Sequence, residues 1–152
     1  MSMKYERTYK PTYEPDIIIS LISRIREKAN RFIAADLTRH GLTGLKPIHG
    51  DILLALFQHG NPTMKELADI VDRRKSTVTT LVDKLARLGY ALKAQDADDN
   101  RVFRISLTKK GQGLKDSLID ISNRLIEKVY KNMPSETRKQ MVNHLRQIND
   151  QW

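Results

Sequence analysis

Residues 63–107 decide the fold, and they read TMKELADIVDRRKSTVTTLVDKLARLGYALKAQDADDNRVFRISL. Apolar residues recur at helical spacing in two short blocks at the start of this stretch, and three polar residues, 72–74, separate the blocks. We therefore predict two short helices, of which the second is Lys75–Arg87. Thr63 and Glu66 have the spacing of a capping box, in which each side chain accepts a hydrogen bond from the other residue's backbone amide.

A β-hairpin is predicted directly after the second helix. Gly89 is suited to the left-handed turn that ends a helix. Leu92–Gln95 and Arg101–Leu107 are predicted strands, because apolar and polar residues alternate in the second of them, and the DADDN segment between them favours a turn. Two helices joined by a short turn and followed by a hairpin form a winged helix-turn-helix.

Longer helices are predicted on both sides of this unit. One amphipathic helix runs from Asp16 to His40, a shorter one begins near Pro47, and a long helical pattern follows Thr108 until Pro134 interrupts it. An exposed apolar stripe is a liability in a monomer, so we expect the first and last helices to form a homodimer interface. The stripe on the last helix consists of Met141, Leu145, Ile148 and Trp152.

The predicted fold class is therefore mostly α with a small β-hairpin wing. A length of 152 residues suits one domain. Within it we assign residues 1–45 and 112–152 to the dimerisation helices and residues 46–111 to the winged-helix DNA-binding region. The polar tail of residues 1–15 has two interpretations, a loosely ordered segment or an arm that contacts a partner subunit or DNA.

Composition limits the classes of partner. Lys and Arg number 27 against 18 Asp and Glu, a net charge of +9 that favours polyanions. Without cysteine the chain has no disulfide or thiolate metal site, and its four histidines lack ligand spacing, so we expect no cofactor and no metal. No stretch is apolar enough to cross a membrane and no signal peptide is evident, which favours a cytoplasmic location.

The predicted second helix exposes a hydroxyl-rich, cationic face. Its inward positions are Val78, Leu81, Val82 and Leu85. Short hydroxyls suit the base edges of the major groove of double-stranded DNA, and longer cationic side chains suit the flanking phosphates. A plain solvated face, with Ser76 or Thr77 as a helix cap, is the competing interpretation. The candidate DNA contacts are Arg73, Arg74, Lys75, Ser76, Thr77, Thr79, Thr80, Lys84 and Arg87.

The hairpin tip supplies a second candidate contact. Arg101 lies two residues after Asp99, so the carboxylate is placed to orient the guanidinium. A narrow minor groove rich in A·T pairs attracts an arginine held in this way. A surface turn with an incidental ion pair explains the same residues equally well.

Four segments together resemble the MarR family of transcription regulators: TMKELA at 63–68, KSTVTTLVDKL at 75–85, DDNR at 98–101 and LTKKG at 107–111. The resemblance implies a homodimeric repressor on a pseudo-palindromic operator, with Arg101 in the minor groove and Asp99 bracing it. It also implies base contacts from Ser76, Thr77, Thr79, Thr80 and Lys84, and phosphate contacts from Arg74 and Lys75.

Two further expectations follow from the resemblance. Many members of the family respond to a small aromatic or anionic ligand, which is bound between the dimer helices and the winged domain. The residue at position 73 is often apolar in the family and the one at 74 is often a small capping residue, so Arg73 and Arg74 depart from its pattern.

Two other functions compete with DNA binding. A winged helix that binds protein or RNA would keep the fold without needing the hydroxyl face or Arg101. An enzyme would need a nucleophile with its base, a glycine-rich phosphate loop or a metal cluster, and we find none in the sequence, so we predict that the chain is not an enzyme.

Overall fold

A computed structural model describes residues 17–152. The tail of residues 1–15 lies outside this range, so both interpretations of it stay predictions. The first helix, α1, is Ile18–Arg39, in agreement with the predicted long amphipathic helix. Helix α2 is Pro47–His59, and its proline occupies the first turn, where a missing amide hydrogen costs no helical bond.

The two predicted short helices are present. Helix α3 is Met64–Ile70 and α4 is Lys75–Arg87. The capping box of α3 forms as predicted: the Thr63 amide donates to Glu66 Oε2 at 2.7 Å and the Glu66 amide donates to Thr63 Oγ1 at 3.2 Å. Gly89, just after α4, has a φ of +80°, the left-handed conformation that favours glycine.

The hairpin consists of the antiparallel strands β1, Ala91–Gln95, and β2, Phe103–Leu107. The prediction that the second strand begins at Arg101 is wrong by two residues. Arg101 and Val102 lie in the tip, where the Val102 amide donates to the carbonyl of Asp99 at 2.9 Å and closes a turn.

The C-terminal part contains three helices. They are α5, Lys109–Gln112, α6, Lys115–Val129, and α7, Ser135–Asn149. The helical run predicted after Thr108 is therefore interrupted between α5 and α6, because Thr108 caps a separate short helix that ends at Gln112, with Gly113 as its C-cap. The last helix also ends earlier than predicted, and Trp152 lies beyond it, 100% exposed.

One continuous apolar core joins α1 to α6. Its most completely buried members come from α1, α2, α3, α4 and β2. They are Leu37, Ile52, Leu53, Leu56, Leu67, Val78, Val82, Leu85 and Ile105. The predicted fold class, mostly α with a hairpin wing, is confirmed. Of the helices in residues 17–152, none has the length and apolar character that crossing a membrane requires.

Buried charge holds α1 against α6. Asp36 is almost wholly buried in α1, and Arg124 of α6 donates to its carboxylate at 2.7 Å. His40 and Asp120 make a second contact between the two elements at 3.1 Å. Because an unpaired buried carboxylate costs several kcal/mol, on the order of 3–5, the Asp36–Arg124 pair fixes how these helices meet.

The LTKKG segment locks the wing to the end of α4. Thr108 Oγ1 accepts from the Gly111 amide at 2.9 Å and donates to the Gly89 carbonyl at 2.6 Å. Lys110 Nζ donates to the carbonyl of Leu88 at 2.9 Å. Gly111 is packed so closely that an added Cβ would lie 2.0 Å from the carbonyl oxygen of Tyr90. Only glycine permits this backbone approach.

We predict that Gly111→Ala lowers the free energy of unfolding by about 2 kcal/mol or more, because the new methyl group meets backbone that cannot move independently. Urea denaturation followed by circular dichroism measures the change. Gly50→Ala is the matched control: Gly50 lies inside α2 with no atom within 4 Å of an added Cβ. That variant should be more stable by roughly 0.5–1 kcal/mol, and a Gly111→Ala protein as stable as the wild type would contradict the packing argument.

Candidate nucleic-acid interface

The orientation of α4 is set by its apolar side. Val78, Val82 and Leu85 are all 0% exposed in the core. Because these three residues face the core, the residues on the opposite face of the helix are directed outward. Ser76, Thr77, Thr80 and Arg87 are exposed, whereas Thr79 and Lys84 are half-buried at the edges of the same face.

Two hydroxyls on this face bond to their own helix. Thr79 Oγ1 donates to the Lys75 carbonyl at 2.8 Å, and Thr80 Oγ1 donates to the Ser76 carbonyl at 3.2 Å. With the hydroxyl hydrogen engaged in this way, the lone pairs of each oxygen and its adjacent methyl group remain available to an outside group. Two threonines therefore offer acceptors and apolar contact, which suits the donor groups and the thymine methyl of a major groove.

The N-terminus of α4 is open to an anion. Arg74 is the residue before the helix, in extended conformation, and an arginine side chain has no acceptor with which to cap a helix amide. The first-turn amides, together with the positive end of the helix dipole, therefore favour a phosphate oxygen. Arg73, Arg74 and Lys75 are exposed beside these amides.

The wing tip differs in one contact from the prediction. The Asp99 carboxylate accepts from the backbone amide of Arg101, at 2.9 Å, rather than orienting the guanidinium directly. An aspartate two residues before an amide forms this turn readily because its side chain is short. Arg101 is exposed, and the aspartate positions its backbone instead of its side-chain end.

A cleft of about 470 Å³ lies between α3, α4 and the wing. It brings together three of the predicted residues, Lys75, Thr79 and Arg101. Lys65 and Lys93, which were not among the candidate contacts, also line it. Four cationic side chains therefore line one cleft, and such clustering favours a polyanion, although the charge of Lys93 is partly offset by its pair with Asp83.

Phe103 lines the same cleft and is 42% exposed. The alternation of β2 places it on the side of Ile105, which is fully buried. The strand extends past the core at its N-terminal end, so period-two patterning identified the face of Phe103 without revealing its exposure.

The acid on α4 is paired. Asp83 Oδ1 accepts from Lys93 Nζ at 2.6 Å, which links the helix to β1. Both side chains are partly exposed, so the pair contributes little stability. Its main effect is to offset the negative charge of Asp83 on a surface that is otherwise cationic.

The other predicted residues do not line the cleft. Arg87 is in the last turn of α4, at the opposite end of the helix from Lys75. Arg73 lines a different pocket, of about 580 Å³, between α1 and α2, where it lies near Asp51. Burial raises the pKa of the Asp51 carboxyl, and the charge of Arg73 opposes that shift. Contact of Arg73 and Arg87 with DNA stays a prediction.

Asp96 and Arg104 were also missed by the sequence analysis. Arg104 donates from Nε to the Asp96 carboxylate, and this bond joins β2 to the wing tip. The amides of Asp98 and Asp99 hold the pKa of Asp96 below its usual range, as does the Arg104 guanidinium. The sequence did offer a signal for the role of Asp96: it is the first residue of DADDN, and an aspartate at the start of a turn commonly accepts from amides two and three residues ahead.

The sequence and the backbone of the chain are similar to those of known transcription regulators. The sequence model of the MarR family matches residues 47–103, from the start of α2 to the first residue of β2. The chain is 26% identical over 92 residues to the uncharacterized HTH-type transcriptional regulator YwhA of Bacillus subtilis, and the match spans 60% of this chain and 66% of YwhA, just under two thirds. It is 28% identical over 122 residues to the HTH-type transcriptional regulator SarZ of Staphylococcus aureus, which covers 80% of this chain and 76% of SarZ.

The backbone also resembles solved winged-helix structures. One is a mutant MarR from E. coli complexed with operator DNA, with a TM-score of 0.77, 17% identity, and coverage of 85% of this chain and 91% of the other. At this identity the likeness supports the fold alone. The relatives named here are transcription regulators rather than enzymes, which agrees with the expectation that the chain is not an enzyme.

We predict that Arg74→Ser raises the free energy of unfolding by about 0.5–1 kcal/mol, because serine accepts from a first-turn amide of α4 that arginine leaves open. The same variant should bind duplex DNA less tightly, with a weaker salt dependence, because it removes a cationic side chain that is predicted to contact a phosphate. Urea denaturation and fluorescence anisotropy measure the two effects. Arg74→Ala is the control, since it removes the charge without adding a cap; equal stability of the serine and alanine variants would contradict the open N-terminus.

Proposed function

We propose that this chain, whose residues 47–103 match the sequence model of the MarR family of transcription regulators, binds an operator in double-stranded DNA as a homodimeric repressor. The observation that supports this most directly is the arrangement around the cleft. Lys75 and Thr79 of α4 and the exposed Arg101 of the wing line one cationic cleft. The exposed hydroxyls of α4, Ser76, Thr77 and Thr80, lie on the same helix. A regulator of this kind acts on chromosomal DNA, so we also propose a cytoplasmic location.

Side-chain length and charge determine which part of the DNA each residue is expected to contact. Ser76, Thr77 and Thr80 are short and exposed in the first turns of α4, where a recognition helix approaches base edges. Lys65 and Lys75 extend beside them and suit the phosphates that border the groove. Arg101 reaches outward from the wing, where an adjacent minor groove would lie.

A homodimer is supported by the state of α7. No residue of this 15-residue helix, all of it in the described part of the chain, is fully buried. Isolated helices of this length are marginal in water, so α7 requires packing against another surface. The exposed Leu145 of α7 and the exposed Ile19 and Ile25 of α1 provide apolar surface for a second copy. A two-fold dimer then presents two α4 helices to a pseudo-palindromic site.

Selection of bound fragments from random duplex DNA tests the proposal. We expect enrichment of an inverted repeat whose half-sites are centred about one helical turn, roughly 10–10.5 base pairs, apart. Sedimentation of the complex should give two chains per duplex. Enrichment of a site without internal symmetry would overturn the dimer, and failure to enrich any duplex would leave protein or RNA binding as the function of this fold.

Arg101→Ala should weaken binding to the selected duplex about tenfold, because an exposed arginine on the wing would no longer occupy the minor groove. Anisotropy titrations at several salt concentrations measure the effect, and wild-type affinity should fall steeply with salt. Arg31→Gln is the charge-matched control, since it removes one arginine of an ion pair with Glu27 on α1. Equal losses in the two variants would show that net charge, not the wing contact, controls affinity.

Release by a ligand is the last part of the proposal. The pocket of about 580 Å³ between α1 and α2 suits a small aromatic or anionic molecule, since pockets of this class measure roughly 300–1,000 Å³. Apolar side chains such as Pro47 and Ile48 line it together with Arg26, Lys46 and Arg73. Arg73 also precedes α4, so a molecule bound there lies next to the recognition helix.

We predict that benzoate, used as a simple aromatic carboxylate, displaces the chain from its selected duplex at millimolar concentration. Arg26→Gln should bind the duplex normally and respond less, because a cation that would face the carboxylate is removed from the pocket. Anisotropy at constant ionic strength, with sodium chloride replacing benzoate in the reference, measures the response. Equal displacement of the wild type and the variant would reject this pocket as the site.

A further inference from the structure

Arg104 joins the wing to the turn before the helix-turn-helix. Its Nη1 donates to the carbonyl of Asn61 at 3.1 Å, across 43 residues of sequence, while its Nε donates to the carboxylate of Asp96. Asn61 lies in the loop between α2 and α3, and Asp96 directly follows β1. One guanidinium therefore connects the wing tip with the body of the winged helix, and the planar fork of arginine makes two such bonds at once.

Asp96 also accepts hydrogen bonds from the backbone of the wing tip. Its Oδ1 accepts from the amides of Asp98, at 2.9 Å, and Asp99, at 3.3 Å. The Asp99 carboxylate in turn accepts from the amide of Arg101 at 2.9 Å. A continuous series of hydrogen bonds therefore runs from Arg104 to the backbone of Arg101, and the side chain of Asp96 at its centre is only 12% exposed.

The backbone of β2 is fixed next to Arg104. The Ile105 amide donates to the Pro62 carbonyl at 2.9 Å, and Thr63 and Arg104 form an isolated bridge. These bonds hold the base of the wing against the α2–α3 loop. The tip extends beyond them. Its two arms are joined by the Asp96 amide, which donates to the Val102 carbonyl at 2.8 Å, and the bonds of Arg104 to Asp96 and to the Asn61 carbonyl tie the tip to the α2–α3 loop.

We propose that Arg104 is a positioning residue for operator recognition: through Asp96 and Asp99 it holds Arg101 in register with α4 and does not itself contact the phosphates. The inference rests on the proposed binding of duplex DNA. The recognition helix and the wing must meet neighbouring grooves at the same time, so a tip displaced relative to α4 would lose the minor-groove contact even if the charge of the protein were unchanged.

Two substitutions separate positioning from charge. Arg104→Lys keeps the positive charge but replaces the planar guanidinium, whose Nε and Nη1 bond Asp96 and the Asn61 carbonyl at once, with a single ammonium group. Arg104→Gln removes the charge. Both should bind the selected duplex about tenfold more weakly than the wild type. The salt dependence of Arg104→Lys should equal that of the wild type, and both variants should discriminate less between A·T and G·C pairs in the flank that the wing reads.

A double-mutant cycle with Arg101→Ala decides the mechanism. If Arg104 acts through Arg101, then Arg104→Gln costs little further affinity once Arg101 is already alanine. Additive losses, together with a salt slope lower by about 0.9, would instead identify Arg104 as a phosphate contact and overturn the proposal. Urea denaturation of every variant detects loss of folding, and an affinity loss that merely follows the unfolded fraction would also overturn it.

The proposed function and this inference fail in different ways. If the wild type selects no duplex, operator binding itself fails and the positioning role is overturned with it. If the wild type binds and Arg101→Ala weakens binding, but Arg104→Lys and Arg104→Gln bind as the wild type does, only the positioning role is lost. Arg31→Gln again controls for the loss of one arginine in an ion pair outside the wing.

Discussion

Complete burial of one side of α4 is the constraint on which the rest of the structure depends. Val78, Val82 and Leu85 are withdrawn from water entirely, and burying side chains of this size stabilises a fold by roughly 1.5–3 kcal/mol each. Rotating α4 about its axis would expose them, so the opposite face has a single orientation. The hydroxyl and cationic side chains on that face are presented outward as a consequence of the core packing behind them.

Polar contacts then fix both ends of the helix relative to its neighbours. At its C-terminal end, Thr108 and Lys110 bond the Gly89 and Leu88 carbonyls, so the strand leaving the wing is joined to the helix. Asp83 and Lys93 make a further link between α4 and β1. The N-terminal end lacks a capping side chain at Arg74, which leaves amide donors exposed where a phosphate is expected. Hydrogen bonds therefore tie the C-terminal end of α4 to the wing, whereas the amides at its N-terminal end have no side-chain cap.

Basic residues dominate the stretch that contains α4, whereas several of the acids nearby are paired or bonded within the fold. Within the stretch 73–93, six of the seven charged residues are basic, and the single acid is paired with Lys93. The acids of the wing, in contrast, are used internally: Asp96 and Asp99 accept from backbone amides and from Arg104. The charge of Asp96 is therefore offset by Arg104, and the bonds that Asp96 and Asp99 accept from amides organise the turn that presents Arg101.

Local features of the site were predictable because each depends on residues close in sequence. The bounds of α4, the capping box of Thr63 and Glu66, and the turn at Gly89 all follow from side-chain spacing and backbone preference. Arg101 lies at the tip as predicted, but Asp99 accepts from its backbone amide and not from its guanidinium. The part played by Lys65 and Lys93 was missed, because helical and strand periodicity give the direction of a side chain only relative to its own element.

By itself, then, the sequence determined the order of the elements, the inner and outer faces of α4, and the cationic character of residues 73–93, since these are set by periodicity and composition. Only the tertiary structure decided that Arg73 lines a pocket against α1, that Phe103 faces a cleft, and that Arg104 bonds the Asn61 carbonyl. The physical reason is that such contacts join residues far apart in the chain, and packing of the whole core sets the distance between them.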